Sequence, residues 1–469
     1  MRTVRRLASL IAAALTLLAL GGPLVASETQ PPAGLAQGAA PLDTIPLLTM
    51  PPVDNQAQIA SARAKSLADA PLQFAVSQAT SATPLTHGSW ETLADGGQLW
   101  RLRIASAGAE SINLGFTRYR MPAGGRLSVY DPGYATVLGP YTEQDNEAHG
   151  QLWTPIVPGE QVVLEATLPP GAGRGQLDLE LTSVGHAFLD PFNPASVLDK
   201  SGSCNVDVAC SEGAPWLWEI QSVALITIDG SYSCTGALIN NTAQDRRPLF
   251  LTAEHCDVDA PNAATVVAYW NYESPVCRMP GSEASGESGG GSLSQTLSGA
   301  IWRAEYAPSD MSLLELDDAV PASYNPFWAG WDRGAAPPTG AVAIHHPNGD
   351  EKRISFENDQ TQITSYGFDS SPGSGTHIRV GDWDLGTTEP GSSGSPLFNP
   401  RGLIVGQLHG GAAACGNDDP DWYGRLYTSW TGGGTLGTRL SDYLDPLGLG
   451  VEALHGFPME QQYLPGTQR

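Results

Sequence analysis

Residues 388–396 read Thr-Glu-Pro-Gly-Ser-Ser-Gly-Ser-Pro, so Gly391 and Gly394 flank the pair Ser392-Ser393. A serine acts as a nucleophile only if its hydroxyl stands clear of bulk and backbone N–H groups point at the oxyanion that forms. Glycine permits both, through positive φ and close approach of substrate. Alone, such a stretch reads equally well as a Gly/Ser surface turn. Two other stretches weigh against that. Residues 251–256 (LTAEHC) offer His255, and residues 309–316 (SDMSLLEL) offer Asp310. An imidazole can take the hydroxyl proton, and a carboxylate can fix its tautomer and stabilise its charged form. Asp310 could be a plain surface acid ahead of a strand, but the apolar pair Leu313-Leu314 beside it argues for a buried setting. The order His255, Asp310, Ser393 is that of one of three unrelated serine-hydrolase layouts, the one built on two β-barrels.

Those side chains lie far apart in sequence, so the elements that position them matter. The chain has 469 residues, with 54 glycines, 37 prolines and only 16% charged residues, which suits turn-rich all-β folds and suggests two or three domains. A formal net charge of −25 disfavours nucleic acid and anionic membranes as partners and favours solubility. Residues 1–26 have a basic start, an apolar middle and a small residue at Ala26, the pattern of a Sec signal peptide. No later stretch is apolar enough to cross a bilayer. The expectation is a secreted, extracellular, monomeric protein.

The six cysteines, Cys204, Cys210, Cys234, Cys256, Cys277 and Cys415, all follow residue 203. In an exported chain they read as three disulfides, with fifteen possible pairings. Zinc is the rival, but there is no Cys-x-x-Cys pair, and no metal or other cofactor is expected. A boundary just before Cys204 follows. Residues 27 to about 80–85 are rich in Ala, Pro, Gln and Ser and read as a loosely ordered arm. Alternating runs at 99–104, 125–130, 161–166 and 176–181, separated by Pro/Gly turns, then predict an antiparallel β-sandwich. Its His149 and His186 read as ordinary surface or satisfied residues. After residue 200, many short strands fit two packed six-stranded barrels, with a flexible Ser/Gly-rich loop at 281–294.

At residues 203–208 (SCNVDV), 235–241 (TGALINN), 269–272 (YWNY), 327–333 (FWAGWDR), 344–347 (IHHP), 407–411 (QLHGG) and 428–434 (TSWTGGG), together with the Ser393 stretch, the chain resembles the bacterial lysyl endopeptidases, a branch of the trypsin-like serine proteases. The likeness covers nearly all of 201–450. It implies a protease domain over 201–469, with His255, Asp310 and Ser393 as the triad and the N–H groups of Gly391 and Ser393 as the oxyanion hole. It also implies disulfides Cys204–Cys415, Cys210–Cys277 and Cys234–Cys256. Protein and peptide substrates follow, with residues 27–200 as a propeptide that aids folding or inhibits.

For trypsin-like enzymes that cut after Lys or Arg, the pocket acid usually stands six residues before the serine, where this chain has the neutral Thr387. Enzymes specific for Glu usually carry a histidine where Leu408 stands. The resemblance points instead to Asp421, placed by its spacing to residues 423–425; the bland alternative is an acidic turn of Asp418, Asp419 and Asp421. A compact carboxylate meeting an ammonium favours Lys over the planar guanidinium of Arg. His409 and Gly410 join this substrate-binding set, and Tyr366 is placed against His409. Lys65, Lys200 and Lys352 are the only lysines. Self-cleavage between Lys200 and Ser201 would leave a mature chain with one internal lysine; a coding bias toward arginine is the other explanation. Trypsin's aspartate before the serine is Ser392 here, and Ser201-Gly202 is not an apolar N-terminus, so activation by insertion of a new N-terminus beside the serine is not expected. Glu254 replaces the small residue common before the histidine. His345-His346 read as structural and not as a metal site. The rival readings are cleavage after Arg or Glu, and a catalytically inactive binding module.

Overall fold

The computed structural model describes residues 31–36, 38–66, 70–189 and 201–459. The leader at 1–26 and Lys200 lie outside the described residues.

The N-terminal body is a sandwich of two sheets. Gln98–Ala105, Gln161–Leu168, Arg126–Tyr130 and Val137–Tyr141 form the body of one sheet, with Leu47–Thr49 and Ser89–Thr92 both paired to Gln98–Ala105. Ser111–Arg120, Asp178–Ala187 and Ala75–Ala82 form the other, with two short strands, Leu152–Trp153 and Val157–Pro158, on Ser111–Arg120. Leu102, Ile104, Val129, Val162 and Leu164 from the first sheet meet Ile112, Leu114, Phe116, Leu179 and Leu181 from the second in one core. The four alternating runs lie almost wholly within four of these strands.

The loose arm expected up to about residue 85 is overturned over 38–66 and 70–82. Leu47–Thr49 pairs in parallel with Gln98–Ala105, and Asn55–Ser66 is a helix. Asp54 caps that helix by accepting from Ala57 N at 3.1 Å. Its alanines are strong helix formers, so propensity needs only a modest apolar contact to be realised. Asn55 docks it on the sandwich through His186 Nε2 at 2.8 Å and Gly108 O at 2.7 Å. Composition hid this because the segment's order comes from capping and docking, not from a hydrophobic period.

The C-terminal body holds two curled, mainly antiparallel sheets. The first runs Thr296–Ser298, Val267–Trp270, Val223–Ile228, Tyr232–Leu238, Leu249–Ala253, Met311–Leu316, Ala300–Tyr306. The second runs Val206–Asp207, Arg353–Glu357, Ala341–His345, Pro396–Phe398, Leu403–Gly411, Asp421–Arg425, His377–Val380, Gln362–Thr364, with Gly330–Asp332 added on Leu403–Gly411. Leu251 and Leu313 of the first sheet pack with Trp331, Ile344 and Ile404 of the second in a shared core.

The two bodies are joined through strand and side chain. Leu72–Gln73 pairs antiparallel with Tyr232 and Ser233, extending the first C-terminal sheet. Phe74, Trp153 and Ile156 pack with Leu225, Val267, Tyr269 and Tyr272 in one buried cluster. Each large apolar side chain so buried contributes about 1.5–3 kcal/mol. His149 reaches across to Asp317 at 2.8 Å, so it is an interface residue and not an ordinary surface one. His186 is satisfied inside the sandwich by Ser106 Oγ at 2.7 Å and Asn55.

Candidate active site

His255 follows the Leu249–Ala253 strand in a single 3-10 turn, Glu254–Cys256. Asp310 precedes the neighbouring Met311–Leu316 strand and has φ +52°, a left-handed conformation that an aspartate tolerates better than most residues. The pairing of those strands brings the two residues together. Asp310 Oδ1 accepts from His255 N and Oδ2 meets His255 Nδ1, both at 2.8 Å. Glu254 N donates to Asp310 O at 2.9 Å, so the unexpected glutamate is accommodated through its backbone with its side chain half-buried. Asp310 is buried to 1% exposure, and a carboxylate so enclosed favours the imidazole tautomer with Nδ1–H, which puts the ring's lone pair on Nε2.

The second sheet completes the arrangement. Gln407 Nε2 donates to the carbonyls of Ser309 and Asp310 at 2.7 and 3.0 Å, clamping the aspartate from below. Gln407 lies in the 407–411 string that carries the resemblance, but sequence reasoning assigned it no role. Ser393 is held by Thr235 N, which donates to its carbonyl at 2.8 Å. Gly391 and Gly394 have φ +90° and +80°. A Cβ on Gly394 would stand 2.2 Å from Thr252 Oγ1 and 2.8 Å from Ala253 N, so Ser393 lies against the strand that leads into His255. Ser392, Gly394 and Ser395 give their N–H groups to the carbonyls of Glu389, Leu408 and Ser392. Among the described residues the N–H groups of Gly391 and Ser393 make no backbone hydrogen bond.

On the other side of His255 stands His409. Their rings stack at 5.4 Å, and Tyr366 stacks on the outer face of His409 at 3.6 Å. His377, which sequence reasoning passed over, meets His409 Nδ1 at 3.0 Å. Burial and the neighbouring His409 bring the His377 pKa down to about 4, against the upward pull of Asp310, so it is neutral near pH 7.

Asp421 starts the Asp421–Arg425 strand, opposite Gly411 and next to Gly410 in the sheet. It is 1% exposed. Its Oδ2 accepts from Thr388 Oγ1 at 2.6 Å and from Trp383 Nε1 at 2.8 Å. Burial pushes its pKa up, while those two donors and the backbone at Ala413 pull it down. It is therefore no solvated acidic turn. Thr387, beside Thr388, is buried and gives its carbonyl to Ser355 Oγ at 2.8 Å. Trp383 carried no signal in the sequence, and Thr388, though it opens the serine stretch, was given no role there.

The disulfides are Cys204–Cys415, Cys210–Cys277 and Cys234–Cys256. His345 and His346 are buried; His345 bonds Ser392 Oγ at 2.8 Å and Ser355 Oγ at 3.1 Å, and His346 donates from Nδ1 to Asp350 O. Burial brings His345 down to about 3. Ser392 thus faces a neutral imidazole, while Ser201 is buried against a different acid, Asp350.

A histidine fixed by a buried aspartate, with a glycine-flanked serine packed against the strand that leads into it, suits the trypsin-like serine endopeptidases, and the chain is one of them. Residues 198–424 match the family described as "Lysyl endopeptidase, C-terminal domain", and residues 48–188 match "Lysyl endopeptidase N-terminal domain". The lysyl endopeptidase of Pseudomonas aeruginosa is 31% identical over 370 residues, spanning 74% of this chain and 76% of that protein. The chain belongs to the lysyl endopeptidase family. Among solved structures, the Rv3671c protease of M. tuberculosis in its active form is 16% identical, with a TM-score of 0.30 over 50% of this chain and 88% of that one. A Glu endopeptidase in complex with MPD is 18% identical, with a TM-score of 0.29 over 48% of this chain and 91% of that one.

Proposed function

We propose that the protein is a secreted endopeptidase that hydrolyses peptide bonds on the C-terminal side of lysine and matures by cutting itself between Lys200 and Ser201. The observation that carries the specificity is Asp421. It offers a single buried carboxylate, held by Thr388 and Trp383, beside the strand bearing His409 and Gly410. A substrate ammonium meets such a group as one compact charge, whereas a guanidinium pairs best with both oxygens of a carboxylate, and Oδ2 here is already taken by Thr388 and Trp383.

Ser393 Oγ attacks the scissile carbonyl as His255 takes its proton. The tetrahedral oxyanion is met by the N–H groups of Gly391 and Ser393, each donor worth about 3 kcal/mol. His255, charged and paired with Asp310, then returns the proton to the leaving amine. Stacking of Tyr366 and His409 walls one side of the histidine and keeps water from it.

The N-terminal body is the propeptide in this reading. A Cβ on Gly391 would lie 3.4 Å from Leu72 Cδ2, so a residue of that body sits against the loop that would hold the oxyanion. That contact supports masking of the site before release. Digestion of a mixed peptide pool tests the specificity. Cuts after Lys at least tenfold above those after Arg or Glu are expected, and equal frequencies would refute it. Diisopropyl fluorophosphate should label Ser393 of the processed protein, and Ser393→Ala should cost about 10⁴-fold or more in kcat and leave the precursor uncut.

A further inference from the structure

Beneath the Ser393 loop lies a buried group of charges that peptide hydrolysis itself does not use. Arg278 pairs with Asp207 and Glu351 at 2.5 and 2.7 Å. Arg353 pairs with Asp207 at 2.7 Å and with Asp350 at 3.4 Å. Among the described residues two guanidinium groups therefore face three carboxylates, one negative charge in excess, all at 7% exposure or less. Lys352 does not offset it, because its Nζ turns to Ile220 O at 2.9 Å and to Glu273 at 3.5 Å. Among the described residues Asp350 is the least satisfied of the three acids, since its Oδ1 finds no hydrogen-bond partner among them. Burying an unbalanced charge is costly, so a missing cation is to be expected here.

Ser201 supplies the place for it. Its N lies 3.3 Å and its Oγ 2.7 Å from Asp350 Oδ2, and the residue is 1% exposed. The next residue, Gly202, gives its N–H to both oxygens of Glu389 at 3.0 Å. A Cβ on Gly202 would stand 2.4 Å from Cys415 Sγ and 2.8 Å from Glu389 Oε1, so the segment is closely seated. The Cys204–Cys415 disulfide anchors it just downstream.

We propose that hydrolysis of the Lys200–Ser201 bond creates the missing cation: the freed α-ammonium of Ser201 pairs with Asp350 and locks the loop that carries Ser393. In the step, water's hydroxyl goes to the Lys200 carbonyl and its hydrogen to the Ser201 nitrogen, which gains a further proton from solvent near neutral pH. The inference rests on the cleavage proposed above. It differs from insertion of a new N-terminus beside the serine, because the nitrogen is already seated and the cut changes its charge, not its place.

Two routes carry the effect to the serine. The 347–350 turn, which Asp350 ends, abuts the loop: Asn348 N donates to Pro390 O at 2.5 Å, and a Cβ on Gly391 would be 2.9 Å from Gly349 N. Glu389 accepts from Gly202, Asn205 and Asn348, and its backbone is bonded to Ser392. Burial pushes Glu389 up to about 7, against the pull of the Gly202 N–H. Among the described residues the charged and titratable groups around the Ser201 nitrogen are thus Asp350 and Glu389, with Arg353, Asp207, Arg278 and Glu351 behind, His345 ending the strand before the turn and His346 capping the turn. Asp350 is a positioning residue in this scheme.

The test uses the secreted, processed enzyme and begins by reading its N-terminus by mass spectrometry. A glycine inserted between Lys200 and Ser201 moves the ammonium by one residue and leaves every acid in place; Asp350→Asn and Glu389→Gln are compared with it. With Ser201 as the wild-type start, the insertion and Asp350→Asn should each lower kcat on a lysyl amide by at least about tenfold with little change in KM. Wild-type kcat should fall above an apparent pKa higher than the roughly 8 of a free α-amine. That limb should vanish in Asp350→Asn and persist in Glu389→Gln. An unchanged kcat and alkaline limb in the insertion variant, with its new N-terminus verified, would overturn the ion pair while leaving the cleavage intact. A wild-type chain that starts elsewhere than Ser201 would overturn the cleavage and the pair together.

Discussion

Asp421 has its carboxylate where water does not reach, yet two neutral donors, Thr388 and Trp383, converge on one oxygen. Its pKa is raised by burial, so the unliganded folded chain binds that proton more tightly than the unfolded chain. Its contribution to stability accordingly falls as pH rises from the unfolded value of 3.8 through the folded one. A lysine ammonium needs the anion, so KM for lysyl substrates should climb as pH drops through the raised pKa, sooner than an exposed aspartate would allow. Asp421→Asn should flatten that dependence and remove about 2–5 kcal/mol of binding to the charged side chain. A KM-against-pH series on a lysyl amide, wild type beside the variant, checks both, and parallel curves would exclude Asp421 from the pocket.

At the scale of elements, the histidine and aspartate owe their meeting to two adjacent strand ends. Leu249–Ala253 and Met311–Leu316 pair with Ala253 opposite Met311, so the residues just past those positions face each other. The Cys234–Cys256 bond ties the residue after His255 to the Tyr232–Leu238 strand across a separation of 22 residues. Replacing both cysteines by alanine should lower stability by about 3 kcal/mol, read by urea denaturation, with a shift in midpoint at constant slope. Gln407 works from the opposite sheet. Gln407→Leu would leave the Ser309 carbonyl without this donor in a buried site, and the Asp310 carbonyl with Glu254 N, at about 1–3 kcal/mol. Its kcat should fall with it if the amide holds Asp310 in place, and an unchanged kcat would make Gln407 purely a packing residue.

At the scale of the whole molecule, the two bodies share a sheet, an apolar cluster and the His149–Asp317 pair. An N-terminal body held this way does not leave merely because one bond is cut. The lysines suggest how it is released. Lys352 is completely buried, whereas Lys65 is exposed at the end of the Asn55–Ser66 helix. A second cut after Lys65 would separate that helix from the Leu72–Gln73 strand, which lies against the C-terminal body. Time-resolved mass spectrometry of the secreted protein should show this cut following the one at Lys200, and Lys65→Arg should prolong masking. Persistence of one intact N-terminal fragment in active wild-type preparations would rule it out.

The His255, Asp310 and Ser393 stretches were legible in the sequence because each lies in a local pattern, and their chain order carries information of its own. The alternating runs of the sandwich were legible for the same reason, since burial on one face imposes a period of two. What the tertiary structure decided is whatever depends on partners distant in sequence. The clamp of Gln407 on Asp310, the hold of Trp383 and Thr388 on Asp421, and the joining of Leu72–Gln73 to a sheet more than 150 residues away leave no local period to read. The charge beneath the serine loop shows this most clearly: Asp207, Arg278, Asp350, Glu351 and Arg353 look like ordinary surface residues in a row of letters. Only folding takes them out of water together with Ser201, and only then does their unequal count of charges acquire an energetic meaning.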